Sequence, residues 1–264
     1  MISTRDGRPG VACSDRREKL PPPEPRISKP GSTEAEGLVS EDHTAKRANM
    51  HRDEVSRQIA TCCRRMWEAG LIAGADGNVS VRVGPDRILV TPRGLLKCEL
   101  EPEDIVEVDL HGVHRGGCRQ ATTELDLHLR VYRLRRECGA VVHAHPPTAT
   151  AFAVAGEAIA GDVLPEITLL MGEVPVVPYA TTGTPALGDA TEPFIPGHDA
   201  VLLANHGALT WGADLAKARI RMESLEHAAR ILLAARTLGR VTRLTREQID
   251  ALERLRGTSP HDQY

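Results

Sequence analysis

Residues 140–147 read Ala-Val-Val-His-Ala-His-Pro-Pro, and this stretch carries the strongest local signal in the chain. The apolar run at its start predicts a short strand that ends at His143, where the prolines stop it. Residues i and i+2 of an extended segment point to the same side, so the imidazoles of His143 and His145 can reach one metal ion. A His-x-His pair alone more often binds no metal, so the interpretation depends on a further ligand.

A second predicted strand ends in the same way. Residues 201–204 (Val-Leu-Leu-Ala) run into Asn205, His206 and Gly207, which places another histidine where an apolar strand meets a glycine turn. Three neutral imidazoles leave at least one open position on a divalent ion such as zinc, as in catalytic rather than structural sites. The two strand ends together therefore indicate a candidate metal site.

Polar groups in three further segments favour an anion or proton-transfer site nearby. Thr122, Thr123 and Glu124 stand at the start of a predicted helix, where hydroxyl and N–H groups bind anions. The carboxylate could complete the coordination of a metal, move protons, or simply favour the helix terminus. The glycine turns at 76–80 and 91–94 allow a ligand to approach the backbone, and neither matches a nucleotide-binding fingerprint.

Other polar residues on predicted helices have a structural interpretation. His128 and His227 are taken as solvated or structural histidines. Glu223, Glu226 and His227 share one helix face, but the chain lacks the second copy of this motif that a helical metal site needs. A solvated or interface face is favoured for them.

Length and composition restrict the class of protein. The 264 residues are 41% apolar and 26% charged, and no apolar run approaches the roughly 20 residues that cross a bilayer. The net charge of −3 gives no basic excess for nucleic acid. The six cysteines form no CxxC pair, and no apolar secretory segment opens the chain. These features predict a cytoplasmic protein without nucleic-acid or membrane partners.

Proline content and apolar spacing divide the chain into two parts. Residues 1–49 contain six prolines and no aromatic residue, which predicts a disordered extension or a mis-assigned start. A helix from Val55 to Gly70 then opens a folded domain at 50–264, in which mixed strands and helices predict a layered α/β or α+β fold. The predicted strands are 79–83, 87–90, 105–109, 140–143, 174–177 and 200–204, and the predicted helices are 123–136, 148–155, one starting at 184–185, 214–238 and 245–256.

The order of the motifs along the chain resembles the class II aldolase/adducin family, and within it the fuculose-phosphate aldolases. The matching segments are Gly77–Arg82, Thr91–Gly94, Glu124 with His128, His143-x-His145, Pro178–Thr184 and His206-Gly207. The resemblance covers about residues 53–240. It implies an α/β fold, namely a single three-layer αβα domain with a largely antiparallel central sheet, and assembly as a homotetramer.

The resemblance also implies the roles of the site residues. Its metal ligands would be Glu124, His143, His145 and His206, which hold one zinc ion per subunit, and Glu124 would also transfer protons. The residues that it assigns to the substrate phosphate are Gly77, Asn78, Arg93, Gly94, Thr122 and Thr123.

The activity that the resemblance implies is that of an aldehyde-lyase in carbohydrate metabolism, such as pentose catabolism. Its substrate would be a ketose 1-phosphate, either L-fuculose 1-phosphate or a 5-deoxy- or 5-methylthio-pentulose 1-phosphate, which is cleaved to dihydroxyacetone phosphate and an aldehyde. Alternatives within the family are a pentulose-phosphate 4-epimerase and a methylthioribulose-1-phosphate dehydratase. A non-catalytic adducin-like interaction domain is the alternative of another class, and the retained histidines and Glu124 argue against it.

Overall fold

The computed structural model describes the backbone of residues 35–258 and the side chains of residues 50–254. The helices within that part are α1 (Ala35–Glu68), α2 (Leu125–Leu134), α3 (Pro147–Ala155), α4 (Pro165–Leu170), α5 (Pro185–Thr191), α6 (Leu215–Thr237) and α7 (Arg246–Thr258). The strands are β1 (Asn78–Gly84), β2 (Arg87–Val90), β3 (Val106–Val108), β4 (His114–Gly116), β5 (Ala140–Ala144), β6 (Val176–Val177), β7 (Ala200–Leu203) and β8 (Gly207–Gly212).

All of these strands form one sheet in the order β4-β3-β2-β1-β5-β8-β7-β6. Every neighbouring pair is antiparallel except β6 and β7, which run parallel. The predicted largely antiparallel sheet is confirmed. Strand β5 is one of the two central strands and only β8 separates it from β7, so the two histidine-bearing strand ends belong to neighbouring parts of the sheet.

Helices cover both faces of the sheet, which gives the three layers that the resemblance implies. Val142 and Ala144 of β5 pack into a core cluster with residues of α1, α3 and α6. Val141, which points to the opposite face, packs with residues of α2 and α5. Because side chains alternate along a strand, His143 shares the face of Val141 and points toward α2.

The core is built mainly from aliphatic side chains, as the 3% aromatic content requires. Among the described residues, the buried aromatic side chains are Tyr132, Phe152 and Trp211. Tyr132 has a polar end that needs a partner, and it lies on the α2 side of the sheet.

The structure contains elements that the sequence pattern does not predict. Strand β8 (Gly207–Gly212) is fully buried, although Gly207 was interpreted only as a turn residue. Because the strand is short and contains glycines, the sequence pattern does not indicate it. Pairing with neighbouring strands on both sides stabilises it. Strand β4 and helix α4 were also not predicted.

The chain divides into two compact units, Met1–Lys46 and Arg47–Tyr264, and all described strands belong to the second. Helix α1 begins at Ala35, within the segment predicted to be disordered, because the stretch before Met50 is rich in residues that favour helices. Residues 1–34 lie outside the described part, and their predicted disorder stays a prediction. No helix in the described range is long and apolar enough to span a bilayer.

Candidate functional site

The three histidines singled out in the sequence lie together at one end of β5. His143 is in the strand, His145 follows it, and His206 lies in the turn between β7 and β8. Pairing of β5 with β8 carries that turn to the end of β5, where Ala144 is opposite Ala208. The ring centroids are 4.6 to 4.9 Å apart, and one nitrogen of each ring lies within 4.8 Å of the others.

A tight backbone contact determines where His206 lies. Asn205 adopts a left-handed conformation with a φ of 56°, and the N–H of His206 donates to the carbonyl of Leu203. A Cβ atom on Gly207 would lie 2.5 Å from the Ala144 carbonyl oxygen and 2.6 Å from the His145 ring. Only glycine therefore lets the turn approach β5 this closely.

Glu124 stands directly before α2 and faces the histidines from the opposite layer. Its Oε2 atom is 3.2 Å from His143 Nε2, and its Oε1 atom is 3.3 Å from His206 Nε2. The side-chain amide of Asn78 donates to Oε2 at 2.8 Å. The four side chains that the resemblance assigns to the metal thus converge on one small volume.

The protonation pattern of His143 favours a cation in that volume. Its Nδ1 lies 2.9 Å from the carbonyl oxygen of Ala208, so Nδ1 carries the hydrogen. In a neutral ring the Nε2 atom then presents a lone pair to the Glu124 carboxylate at 3.2 Å and to His145 Nε2 at 3.0 Å. The Nε2 lone pair of His143 and the carboxylate of Glu124 repel one another unless a positive charge lies between them. The donor set of imidazole nitrogens and one carboxylate suits zinc or another borderline divalent ion.

Burial and neighbouring charges shift the pKa values in the direction that metal binding requires. Burial lowers the pKa of His143 to about 3, despite the opposing effect of Glu124, and burial also lowers the pKa of His206. Burial opposes ionisation of Glu124, whereas His143, the Asn78 amide and His206 favour it. The balance holds the pKa of Glu124 below its ordinary value. Neutral imidazoles beside an ionised carboxylate are the forms that coordinate a cation.

The three segments predicted to bind phosphate are tied together beside Glu124. The hydroxyl of Thr91 accepts from the N–H of Val79, and the carbonyl of Thr91 accepts from the N–H of Thr122. The N–H of Arg93 donates to the carbonyl of Gln120, which fixes the turn of Arg93 and Gly94 against the segment before α2.

The predicted phosphate ligands differ in how accessible they are. Arg93, Gly94 and Thr123 are exposed, whereas Gly77, Asn78 and Thr122 are buried. Among these six residues, Arg93 alone carries a positive charge. Its guanidinium is therefore the accessible cation of this group.

Sequence reasoning missed a buried network behind Glu124. His128 is fully buried, with Nε2 at 2.5 Å from Asn78 Oδ1 and Nδ1 at 2.7 Å from Ser80 Oγ. Ser80 Oγ also lies 2.9 Å from the hydroxyl of Tyr132. The signal was present in the sequence: Glu124, His128 and Tyr132 recur every four residues on one face of α2. Asn78 and Ser80 are two apart and share one face of β1.

One interpretation of the α6 motif was wrong. Glu226 is buried rather than solvated, and its carboxylate accepts hydrogen bonds from the backbone N–H groups of Thr148 and Ala149. It therefore caps the first turn of α3, which begins two residues after His145. The other two residues of the motif lie on the predicted solvated face, since His227 is exposed and Glu223 pairs with Arg219 on the surface.

Comparison with known proteins agrees with this geometry. The family described as "Class II Aldolase and Adducin N-terminal domain" matches residues 57–233. The chain is 34% identical over 179 residues to an L-fuculose phosphate aldolase of Methanocaldococcus jannaschii, covering 67% of this chain and 94% of that protein. It is 32% identical over 200 residues to a 5-deoxy-D-ribulose 1-phosphate aldolase of Bacillus thuringiensis, covering 74% and 92%.

A decarboxylase is among the similar proteins as well. A 3-oxo-tetronate 4-phosphate decarboxylase of Pectobacterium atrosepticum is 31% identical over 199 residues, covering 74% of this chain and 91% of the relative. The solved structure of an L-fuculose 1-phosphate aldolase superposes with a TM-score of 0.72 at 29% identity, covering 76% of this chain and 95% of that one.

Proposed function

Because the chain belongs to the class II aldolase and adducin family, we propose that it is a metal-dependent aldehyde-lyase that cleaves a ketose 1-phosphate to dihydroxyacetone phosphate and an aldehyde. The observation that carries this proposal is the placement of the Glu124 carboxylate within 3.3 Å of Nε2 of both His143 and His206, at the start of the helix that follows the predicted phosphate ligands Thr122 and Thr123.

His143, His145 and His206 would hold one zinc ion, with Glu124 as a further ligand before substrate binds. A zinc ion so held would act as a Lewis acid toward the carbonyl oxygen of the substrate and so stabilise negative charge on the reacting carbons. The chain's contribution is the arrangement itself: burial keeps His143 neutral, and Ala208 orients its ring.

The phosphate would bind over the turns beside Glu124. Arg93 would supply charge, Thr122 and Thr123 would donate hydroxyl hydrogens, and the glycines at 77 and 94 would let the phosphate approach the backbone. Asn78 would contribute the amide hydrogen that Glu124 does not use. Binding energy from this remote group holds the reacting carbons in place, so a substrate without phosphate should lose rate as well as affinity.

The reaction requires two proton movements. Loss of the C4 hydroxyl proton lets the C3–C4 bond break, and the electron pair of that bond stays on C3. A proton delivered to C3 then completes dihydroxyacetone phosphate, while C4 leaves as the aldehyde carbon. Glu124, which is ionised at rest, would accept the C4 hydroxyl proton and then deliver it to C3, because its carboxylate lies beside the proposed metal and next to the phosphate turns.

A second candidate function is favoured by one of the relatives. The similarity to a 3-oxo-tetronate 4-phosphate decarboxylase suggests that the same site could release carbon dioxide, since both reactions leave an electron pair on a carbon next to a carbonyl group. The epimerase alternative also stays a candidate, since a solved structure with a TM-score of 0.71 at 26% identity is described as a putative aldolase/epimerase/decarboxylase.

A substrate panel tests the proposal. We expect release of dihydroxyacetone phosphate from L-fuculose 1-phosphate or from 5-deoxy- or 5-methylthio-pentulose 1-phosphates. Carbon dioxide release from 3-oxo-tetronate 4-phosphate would favour the decarboxylase instead. Interconversion of pentulose 5-phosphate epimers without cleavage would contradict both.

Variants of the site provide the matching test of mechanism. Glu124→Gln should retain about one zinc per subunit but lose at least roughly a hundredfold in kcat, because the amide cannot carry the proton. His143→Ala should lose both metal and activity. Glu223→Gln, on the surface of α6, is the control and should behave as the unchanged protein; an active Glu124→Gln enzyme would disprove the assigned role.

Assembly and location stay predictions from the sequence. We propose a homotetramer in the cytoplasm, and sedimentation of the purified protein tests the assembly. The burial of Cys62, Cys63 and Cys138 is in keeping with a reducing compartment.

A further inference from the structure

We propose that Tyr132, Ser80, His128 and Asn78 form a one-directional hydrogen-bond relay that positions the carboxylate of Glu124. The proposal rests on the proposed function, because it assumes that Glu124 is the group whose position matters for catalysis. None of the four relay residues would transfer the reacting proton, so His128, Ser80 and Tyr132 are positioning residues.

The direction of each hydrogen bond follows from Glu124 outward. An ionised carboxylate only accepts, so the Asn78 nitrogen faces Glu124 and the Asn78 oxygen faces His128. That oxygen also only accepts, so His128 Nε2 carries a hydrogen. In the neutral ring His128 Nδ1 is then an acceptor.

The same logic continues beyond the histidine. His128 Nδ1 must receive the hydroxyl hydrogen of Ser80, at 2.7 Å. The Ser80 oxygen is then free to accept, and Tyr132 donates its hydroxyl hydrogen to it at 2.9 Å. Every donor in the relay therefore points toward Glu124.

The relay residues come alternately from the α2 segment and from β1. Helix α2 contributes His128 and Tyr132 at successive turns after its N-cap residue Glu124, and β1 contributes Asn78 and Ser80 from one face. Asn78, Ser80, His128 and Tyr132 are each at most 5% exposed, so water has little access to replace a lost partner.

The direction of the hydrogen bonds matters because the side-chain amide of Asn78 can adopt two orientations of nearly the same shape, in which its nitrogen and oxygen exchange places. If the amide turned over, its oxygen would face the Glu124 carboxylate and repel it. His128 prevents this by donating to the oxygen, Ser80 keeps His128 in the tautomer that donates, and Tyr132 fixes the hydroxyl of Ser80. The hydroxyl of Tyr132, four hydrogen bonds away, thus helps to hold the carboxylate in place.

The experiment compares Ser80→Ala with Thr191→Val. Both variants remove a buried hydroxyl, but Thr191 donates to the carbonyl of Leu187 within its own helix, away from the site. For Ser80→Ala we expect kcat to fall by roughly tenfold to a hundredfold, as a displaced catalytic group does, with KM and zinc content within about twofold. Thr191→Val should keep kcat within about twofold. If Ser80→Ala keeps its kcat, or raises KM instead, the relay does not position Glu124.

A second variant and a second measurement keep the proposal testable if Ser80→Ala does not fold. Tyr132→Phe removes only the far donor, so kcat should fall by less than in Ser80→Ala, again without a change in KM. Nitrogen-15 NMR of the zinc-loaded protein should show His128 protonated at Nε2 alone, and a ring protonated at Nδ1 would disprove the relay.

The NMR readout also separates this proposal from the proposed function. It needs no substrate, so a protein that cleaves no ketose 1-phosphate can still show whether His128 is held in one tautomer and whether Ser80→Ala releases it. Loss of the single tautomer in Ser80→Ala supports the relay, and an unchanged tautomer contradicts it.

Discussion

His128 is buried in the folded chain but would meet water in the unfolded one, and this difference predicts a pH dependence. Burial lowers its pKa to about 4, with Glu124 opposing that shift, whereas an unfolded histidine has a pKa of about 6.5. Between these two pKa values, His128 binds a proton in the unfolded chain but not in the folded chain. The free energy of unfolding therefore falls as pH falls below about 6.5 and levels off below about 4. From this residue alone the loss is up to about 3 kcal/mol.

Chemical denaturation between pH 7 and pH 4 measures this effect. His128→Gln should reduce the dependence on pH, whatever it does to stability at pH 7. The control is His227→Gln, since His227 is exposed on α6. Equal pH dependence in the unchanged protein and in His128→Gln would contradict the prediction.

The positions of single residues were partly predictable. His143, His145 and His206 could be placed together because each lies at or just after the end of an apolar strand, and strand ends are visible in hydropathy. The spacing of Glu124, His128 and Tyr132 places His128 on one face of a helix, but it does not show that this face is buried until the partners on β1 are known. The side chain of Asn78 was assigned only to phosphate for the same reason, although its amide also contacts Glu124 and His128.

The turn between β7 and β8 predicts the result of one small substitution. Gly207→Ala would place a methyl group against the Ala144 carbonyl and the His145 ring, neither of which can withdraw easily. We expect the turn that carries His206 to move, with zinc content well below one per subunit and a loss of about 1–3 kcal/mol in stability. Metal analysis and thermal unfolding measure the two effects.

Gly197→Ala is the matched control for that substitution. A Cβ atom at Gly197 would meet no other atom within 4 Å, and this glycine also precedes β7. The Gly197→Ala variant should therefore keep its full zinc content. Full zinc content in Gly207→Ala would show that the close approach is unnecessary.

The cap of α3 predicts a loss of stability rather than of chemistry. Glu226→Ala would leave the part-buried N–H of Thr148 and the buried N–H of Ala149 without their acceptor, at a cost of about 1–3 kcal/mol. Urea denaturation should show this loss, whereas Glu223→Ala on the same helix should change stability by less than about 0.5 kcal/mol. Similar losses in both variants would mean that Glu226 is not a significant cap.

Helices and strands with a clear hydrophobic period could be predicted from the sequence. Strands that depend on pairing with neighbouring strands could not. Helix α6 and strands β2, β5 and β7 match their predicted ranges closely, because long amphipathic or apolar runs specify them locally. Strand β8 was missed because its two glycines resemble turns, and β5 and β7 on either side stabilise it.

Metal binding should stabilise the whole molecule, because the proposed ligands come from three separate places in the fold. A ligand present at 100 times its dissociation constant adds about 2.7 kcal/mol to stability. Removing zinc with a chelator should therefore lower the Tm by several degrees. Calorimetry before and after chelation tests this, and His206→Ala should abolish the difference.

A histidine outside the site provides the control. His111 is exposed in the loop after β3, so His111→Ala should keep the full response to chelation. If the Tm of the unchanged protein does not respond to chelation, the cluster does not link metal binding to folding.

The two edges of the sheet affect how these chains meet one another. Strand β4 has three residues, including His114 and Arg115, and β6 has two residues and stops before Pro178. Short strands, positive charge and proline disfavour the backbone pairing by which sheets of separate molecules fuse into aggregates. Association of these chains should therefore proceed through side chains on helices and loops, which keeps the interior of the sheet out of intermolecular contact at high protein concentration.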